Sequence, residues 1–381
     1  MIYVICFGLS ALFAWFASKT KKRTFFVFFS VISILLPVTL AGLRDYSIGI
    51  DTSNYLELAQ FWWGAAERDT LQAYLEYYNS KEFGEPLFAL ILGLVEHYTG
   101  NFTVFLFVEH AVIMTGIYIG AFRQRKHANP VLVLLLFYLC FYNHSLNITR
   151  QYMAMAIIFA AFADIEQRKY LRFILVVLVA RFIHASAPLV LGALLIHWLL
   201  FVRYDRVIPS MKPSLGNRRA VIVGVMVIVV FVFPWLCQVL INAKILPIKY
   251  QFYLNTEEAQ HTTLITLFLL VEMAVLFVFR KNMRSSTPYY NFYLVSSIVY
   301  LFLHQLSANI VYGKRIAAYY SLTNLVTIAL IPRGFKKREN RIIATILVVL
   351  VALVYWWYSY VVNNGSETYP YVFVSFYGVV S

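Results

Sequence analysis

Residues 221–236 read VIVGVMVIVVFVFPWL and are apolar throughout, interrupted only by Gly224 and Pro234. A bilayer core of about 30 Å is crossed by about 20 such residues in an α-helix. Similar runs recur along the chain, in which 61% of the 381 residues are hydrophobic and 13% are charged. Soluble domains have about 45–50% apolar and about 25% charged residues. The sequence therefore predicts an integral membrane protein.

The spanning elements are predicted to be helices, because a helix satisfies its own backbone hydrogen bonds inside lipid. The alternation of polar and apolar positions that is typical of a membrane barrel does not occur in the apolar runs. We expect an all-α, polytopic transmembrane bundle of about twelve helices that forms a single transmembrane domain over residues 1–381. The predicted spans are 2–18, 24–43, 102–121, 129–143, 150–165, 170–183, 185–202, 220–240, 262–280, 289–308, 315–332 and 342–362.

The distribution of basic residues predicts the orientation of the chain. The net charge is +14, and most of the 32 Lys and Arg residues lie in short loops between apolar runs. By the positive-inside rule these loops are cytoplasmic, which places both termini outside. The same placement argues against nucleic acid as a partner. The cytoplasmic loops begin near Lys19, Arg123, Arg168, Arg203, Arg280 and Arg333.

Two outer segments depart from simple crossings. Residues 86–98 are apolar, but a full crossing there would reverse the loop that begins at Arg123, so we expect a half-helix or re-entrant segment lining a cavity. The largest outer loop covers about 44–85 and is rich in aromatic residues. Those rings are either an interfacial belt or a platform for sugar rings. The tail from Asn363 is expected to return to the membrane surface.

Metal and disulfide chemistry find little support in the sequence. Cys6, Cys140 and Cys237 lie in separate apolar runs and are predicted to be small buried residues. No His, Cys, Asp or Glu spacing is typical of a zinc site. We also find no Asp-any-Asp pair for a divalent ion. The sequence therefore predicts a site without metal or cofactor.

Ionisable residues collect at the outer ends of the predicted spans. Such groups are costly at membrane depth and usually mark function. The arginines suggest a multiply charged anion, because a guanidinium binds phosphate bidentately and keeps its charge. The alternative for each arginine is snorkelling to the interface. The residues concerned are Arg44, Asp51, Glu85, Arg150, Arg181, His184 and Arg315.

Three of these residues have specific candidate roles. Arg150 opens a span, so the helix dipole adds to its attraction for an anion. His184 could take a proton from a sugar hydroxyl, or it could be a structural histidine that bonds a carbonyl near Pro188. Asp51 could cap the following helix, or contact a sugar hydroxyl or Arg44.

In these residues the chain resembles the Wzy and EpsG-type polysaccharide polymerases. The resemblance covers about 40 to 330, and only Ile50 departs from the expected pattern, in which a smaller or polar residue would stand. The residues that carry the resemblance are Leu43-Arg44, Gly49-Ile50-Asp51-Thr52 with Tyr55, Glu85-Pro86-Leu87-Phe88, Arg150-Gln151, Phe182 to Ser186 with His184, and Arg315 with Tyr319 and Tyr320.

The resemblance implies a bacterial inner-membrane glycosyltransferase with a fold like that of the GT-C-type membrane enzymes and a periplasmic active site. Its substrates would be undecaprenyl-diphosphate-linked oligosaccharides, joined into O-antigen or another surface polysaccharide. A chain-length regulator protein is a candidate partner beside membrane lipid. His184 would be the base, with Asp51 or Glu85 as second choices. Arg150 and Arg315, with Arg44 or Arg181, would hold the diphosphate.

Three other functions share parts of this pattern. A flippase for lipid-linked sugars would also need cations, but it should show internal repeats and charges reachable from both faces. A polysaccharide ligase shares the same chemistry. A membrane acyltransferase would use a histidine near the cytoplasmic face, whereas His184 is predicted to lie outside.

Overall fold

The fold consists of helices, and a computed structural model describes residues 1–65, 76, 85–201, 214–244, 263–305 and 313–374. No strand occurs within these ranges, which confirms the all-α prediction. The chain divides by contacts into two compact units, residues 1–188 with 345–381 and residues 189–344. Two units can share one membrane layer, so the single transmembrane domain remains a prediction.

The helices follow the apolar runs in order. Each of the twelve predicted spans overlaps a helix among the described residues. By length and composition, four helices among the described residues are able to cross a membrane: Ile2–Lys19, Arg23–Gly42, Phe102–Arg123 and Arg338–Val362.

The first unit contains α1 (Ile2–Lys19), α2 (Arg23–Gly42), α3 (Thr52–Ala65), α4 (Pro86–Thr99), α5 (Phe102–Arg123), α6 (Pro130–Phe137, continued by a π-turn at Tyr138–Tyr142), α7 (Thr149–Glu166) and α8 (Tyr170–Arg181). The second contains α9 (Leu191–Phe201), α10 (Leu215–Asn242), α11 (Thr263–Val278), α12 (Arg280–Ser286), α13 (Tyr290–Gln305) and α14 (Gly313–Leu330). A last helix, α15 (Arg338–Trp356), returns the chain to the first unit.

Helix α4 covers the segment that was predicted to be a half-helix or re-entrant. Its 14 residues span about 21 Å, less than the bilayer core. Pro86 suits the first helical position, and Gly100 ends the helix in the left-handed conformation at φ 57°. Glu85 at its start bonds to Arg150, and Thr103 in the next helix bonds to Tyr46. The chain therefore enters and leaves this segment at one end of the unit.

Helices α5 and α7 form the centre of the first unit through close backbone approach. A Cβ on Gly116 would lie 2.6 Å from the Ala156 backbone, and one on Gly120 would collide with Phe159. Small residues at such contacts let membrane helices pack tightly. Because α2 and α6 also pack on α5, this pair fixes the helix ends that carry the ionisable residues.

A strap formed by residues 363–374 folds back over the end of the first unit at which α2 finishes. Arg44 and Phe373 form an antiparallel bridge. The Asp45 N–H donates to the Val372 carbonyl at 2.9 Å, and the Gly49 N–H donates to the Glu367 carbonyl at 3.1 Å. The strap therefore fixes the loop that joins α2 to α3. Residues 375–381 lie outside the described part of the chain.

The opposite end of the first unit gathers basic residues of two predicted cytoplasmic loops. Arg123 bonds to buried Asp164 at 2.5 Å, and Arg172 lies 3.4 Å from the same carboxylate. His127 pairs with Glu166 at 3.1 Å. The loops that begin at Arg123 and Arg168 therefore share one end, as the charge pattern predicts.

Candidate active site

The candidate site is centred on Glu85, whose carboxylate joins an arginine to a histidine. Glu85 Oε2 lies 2.7 Å from Arg150 Nη1, and Glu85 Oε1 lies 2.6 Å from His184 Nδ1. The Ala185 N–H also donates to Oε1 at 3.0 Å. Three residues that the sequence singled out separately thus form one cluster, which we call the Glu85 cluster.

The cluster draws its members from four parts of the first unit. Glu85 precedes α4, Arg150 is the second residue of α7, and His184 lies in the turn after α8. Tyr55, on α3, accepts a hydrogen bond from Arg150 Nε at 3.3 Å. The Arg150 guanidinium also lies over the rings of Tyr55 and Phe88, at 5.4 and 5.6 Å, where cation–π attraction operates.

The backbone around the cluster is held as well. The Leu87 N–H donates to the Phe182 carbonyl at 2.9 Å. This bond ties the first turn of α4 to the end of α8. The separation of Glu85 from His184 is therefore set by backbone as well as side-chain contacts.

The charge state of Glu85 follows from its partners. Burial raises the pKa of the carboxyl, but the hydrogen bond from His184 and the charge of Arg150 outweigh burial and hold the pKa below its ordinary value. An ionised carboxylate has no proton to give, so His184 Nδ1 must be the donor. In the neutral ring this leaves Nε2 with a lone pair, which is the form of a base.

Exposure separates the roles within the cluster. The Glu85 side chain is 4% exposed, against 22% for Arg150 and 17% for His184. A substrate can therefore reach the arginine and the histidine more readily than the carboxylate between them. Burial also raises the pKa of Tyr55, against the lowering effect of Arg150, so that the phenol remains neutral.

Two other predicted residues border the Glu85 cluster. Asp51 immediately precedes α3, its backbone N–H donates to Asn147 Oδ1 at 2.7 Å, and its side chain is partly exposed. The Asp51 charge acts on the Tyr55 hydroxyl. Arg181 ends α8, three residues before His184. Their roles remain predictions.

Arg44 lies apart from these contacts, in a second charged centre. It is fully buried and pairs with equally buried Glu109 at 2.9 Å. It also donates to the carbonyls of Ala41 and Leu146. His110 Nδ1 lies 3.1 Å from the same Glu109 oxygen. These contacts give no support to diphosphate binding by Arg44, which remains a prediction.

Glu109 and Asn147 are functional candidates that the sequence interpretation missed. Glu109 is a lone carboxylate within the apolar run of α5, and an ionisable residue in such a run is itself a signal. Asn147 carries no comparable signal, because it lies in a polar turn where asparagine is common.

The remaining residues and segments predicted from the sequence lie in other parts of the chain. Arg315 lies in α14 of the second unit, so its predicted role is not part of the Glu85 cluster as described. Residues 66–75 and 77–84 of the aromatic loop lie outside the described residues. Among the described residues, no group of three or more His, Cys, Asp or Glu side chains could hold a metal ion.

The fold and the cluster together define a class: a polytopic helical membrane protein whose buried carboxylate holds an arginine and a histidine at one end of a helical unit. The chain belongs to the EpsG family, whose model matches residues 27–373. This confirms the resemblance, since EpsG proteins are a Wzy-type, polymerase-like family. No curated protein and no solved structure matches the chain.

Proposed function

We propose that this protein polymerises lipid-linked oligosaccharide repeat units at the outer face of a bacterial inner membrane, for O-antigen or another surface polysaccharide. The growing glycan passes from its undecaprenyl diphosphate carrier to a sugar hydroxyl of another lipid-linked unit. Membership of the EpsG family supports a polysaccharide polymerase. The observation that carries the proposal is the bridge from Glu85 to both Arg150 and His184.

His184 is proposed as the base. Its Nδ1–H points to Glu85, so Nε2 takes the proton of the attacking hydroxyl. The hydroxyl oxygen forms a bond to the anomeric carbon, and the bond from that carbon to the phosphate oxygen breaks. The electron pair leaves with the lipid diphosphate. A positioned base contributes about 10²–10⁴-fold to such a step.

Arg150 is proposed to stabilise the diphosphate as it leaves. Its position at the start of α7 adds the positive end of the helix dipole. A guanidinium has five donors, enough to hold a carboxylate along one edge and a phosphate along another. Preorganised charge of this kind is often the largest contribution to catalysis. Arg181 is proposed as a further contact to the diphosphate, and the role of Arg315, in the second unit, stays a prediction.

Glu85 is proposed as a positioning residue, because its side chain is nearly inaccessible. It orients the His184 ring and sets the tautomer. It also holds Arg150 close to the ring, so that base and phosphate ligand act on one substrate. Asp51 remains a candidate contact to the acceptor sugar.

The test compares surface polysaccharide from a strain lacking the gene with strains that carry the wild type or His184→Ala. Loss of polymerisation leaves glycans with one repeat unit and removes the ladder above them. We expect His184→Ala to give the same single-unit pattern, with polymer formation reduced by about 10²–10⁴-fold. His97→Ala, a histidine outside the cluster, is the matched control and should restore the ladder.

Other outcomes would contradict the proposal. If repeat units disappear from the surface of the deletion strain, export or ligation is the lost step. If His184→Ala reaches wild-type membrane levels and restores a normal ladder, the histidine is not the base. Membrane levels are measured by immunoblot in every strain, so that misfolding is not mistaken for lost chemistry.

A further inference from the structure

The second unit contains a polar triad in the interior of three apolar helices. Glu272 on α11, Ser297 on α13 and Asn324 on α14 are all buried. Asn324 Nδ2 lies 2.8 Å from Glu272 Oε2, and Ser297 Oγ lies 2.5 Å from Asn324 Oδ1. Ser297 Oγ also lies 3.4 Å from Glu272 Oε1. The three side chains therefore form one cluster, in which the contact between Ser297 and Glu272 is the longest.

Few hydrogens reach the carboxyl of Glu272 in this cluster. The serine hydroxyl has one hydrogen, and the 2.5 Å contact between two oxygens requires it there. The Asn324 amide supplies the hydrogen toward Glu272 Oε2. At 3.4 Å the Ser297 hydroxyl is too far from Glu272 Oε1 for a strong bond, so the carboxyl receives one short hydrogen bond, from a neutral amide.

The surroundings of Glu272 agree with a neutral acid. Among described residues, the side chains that act on its carboxyl are Asn324 and Ser297, both uncharged. Charged side chains on the neighbouring helices lie near helix ends, whereas Glu272 lies two turns from the end of α11. The titratable residues on α12, α13 and α14 are Arg280, Lys281, Arg284, Tyr290, Tyr293, Tyr300, His304, Lys314, Arg315, Tyr319 and Tyr320.

We propose that Glu272 is a proton-binding site at membrane depth, and that the bound proton completes the Glu272–Ser297–Asn324 cluster, which joins α11, α13 and α14. An ionised carboxylate without a counter-charge is unfavourable in this environment, whereas the protonated acid both donates and accepts. The site lies in a different unit from the Glu85 cluster. It is independent of the proposed glycan transfer.

Infrared spectroscopy of the purified full-length protein tests the proposal at neutral pH. A protonated carboxyl group absorbs at a different infrared frequency from an ionised carboxylate. We expect an acid band in the wild type that disappears in Glu272→Gln and persists in Glu109→Gln. Glu109 is the matched control, because it is also buried in a helix but is paired with Arg44. Glu272→Gln should melt within a few degrees of the wild type, since its amide can take the same place in the cluster.

Two results would overturn the proposal. One is a carboxylate signal from Glu272 with no acid band. The other is a melting temperature that rises when Na⁺ replaces a large organic cation, which would assign the oxygens to a metal cation. If Glu272→Gln does not fold, Ser297→Ala takes its place: loss of the hydroxyl should shift the acid band, whereas an ionised Glu272 has no such band to shift.

Discussion

Glu85 is the residue on which the geometry of the candidate site depends. It engages Arg150 and His184 through different oxygens. Glu85→Gln retains the shape but loses the charge, so the histidine is no longer held in one tautomer. A hydrogen bond to a charged group contributes about 1.5–3 kcal/mol, which predicts a loss of roughly 10–100-fold in polymerisation.

The dependence of the polymerisation rate on acceptor concentration separates a positioning role of Glu85 from a purely structural one. We expect Glu85→Gln to lower kcat at saturating acceptor, measured well below the melting temperatures of both proteins. Glu96→Gln, a buried glutamate later in α4, is the control. Equal activity of Glu85→Gln and wild type would remove Glu85 from the mechanism.

Acid should uncouple the Glu85 cluster at a pH set by Glu85. Its pKa in the folded protein lies below the ordinary value of 4.5, so the folded state binds the proton less readily than the unfolded state. The stability that Glu85 contributes is therefore present above pH 4.5 and is lost as pH falls through the lowered pKa. The melting temperatures of the wild type and Glu85→Gln are measured between pH 3 and pH 7, in steps of about one pH unit. They should differ at neutral pH and converge at the acid end. A constant difference would contradict the assignment.

Arg44 and Arg150 show how much of a single residue's environment could be predicted from the sequence. Arg44 and Arg150 each lie at the outer end of a predicted span, and each pairs with a glutamate 65 residues away. The sequence marks both as costly and functional. Only the packing shows that Arg44 is fully buried and that Arg150 retains exposure. Arg44 lies against the strap, whose Phe373 pairs with it from more than 300 residues further along the chain.

At the scale of elements, the Arg44–Glu109 pair joins the end of α2 to the middle of α5. Removing one partner of a buried ion pair costs about 3–5 kcal/mol, whereas replacing both with apolar residues is often neutral. We predict that Arg44→Met and Glu109→Leu each lower the melting temperature, and that the double variant recovers most of the loss. Thermal unfolding in detergent measures this cycle.

Polymerisation by the same variants decides the role of Arg44. If Arg44 only joins helices, the double variant is both stable and active. If Arg44 binds the diphosphate, the double variant is stable but remains inactive. Ser30→Ala with Tyr118→Phe, a neutral buried pair between the same two helices, serves as the control.

At the scale of the whole molecule, apolar periods and basic loops predicted the helices well, because hydrocarbon imposes length and composition on every span. A half-helix at 86–98 was predicted from the same rules, because a crossing there would invert all later loops, and the structure has a helix of 14 residues over this segment. The division into two units was not predictable. It depends on which helices pack together, and the apolar runs carry no signal for that choice.

The orientation of the chain determines which side of the membrane the Glu85 cluster faces. Ser47 is exposed beside Tyr46, which bonds to Thr103 at the start of α5. Lys126 is exposed just beyond the other end of that helix, about 33 Å away by helical rise. The test uses a variant without the three native cysteines, in intact cells from which the outer membrane is absent. There we expect Ser47→Cys to react with an impermeant maleimide. Lys126→Cys should react only after the membrane is opened. The reverse pattern would place the Glu85 cluster in the cytoplasm, where a transferase acting on exported units has no substrate.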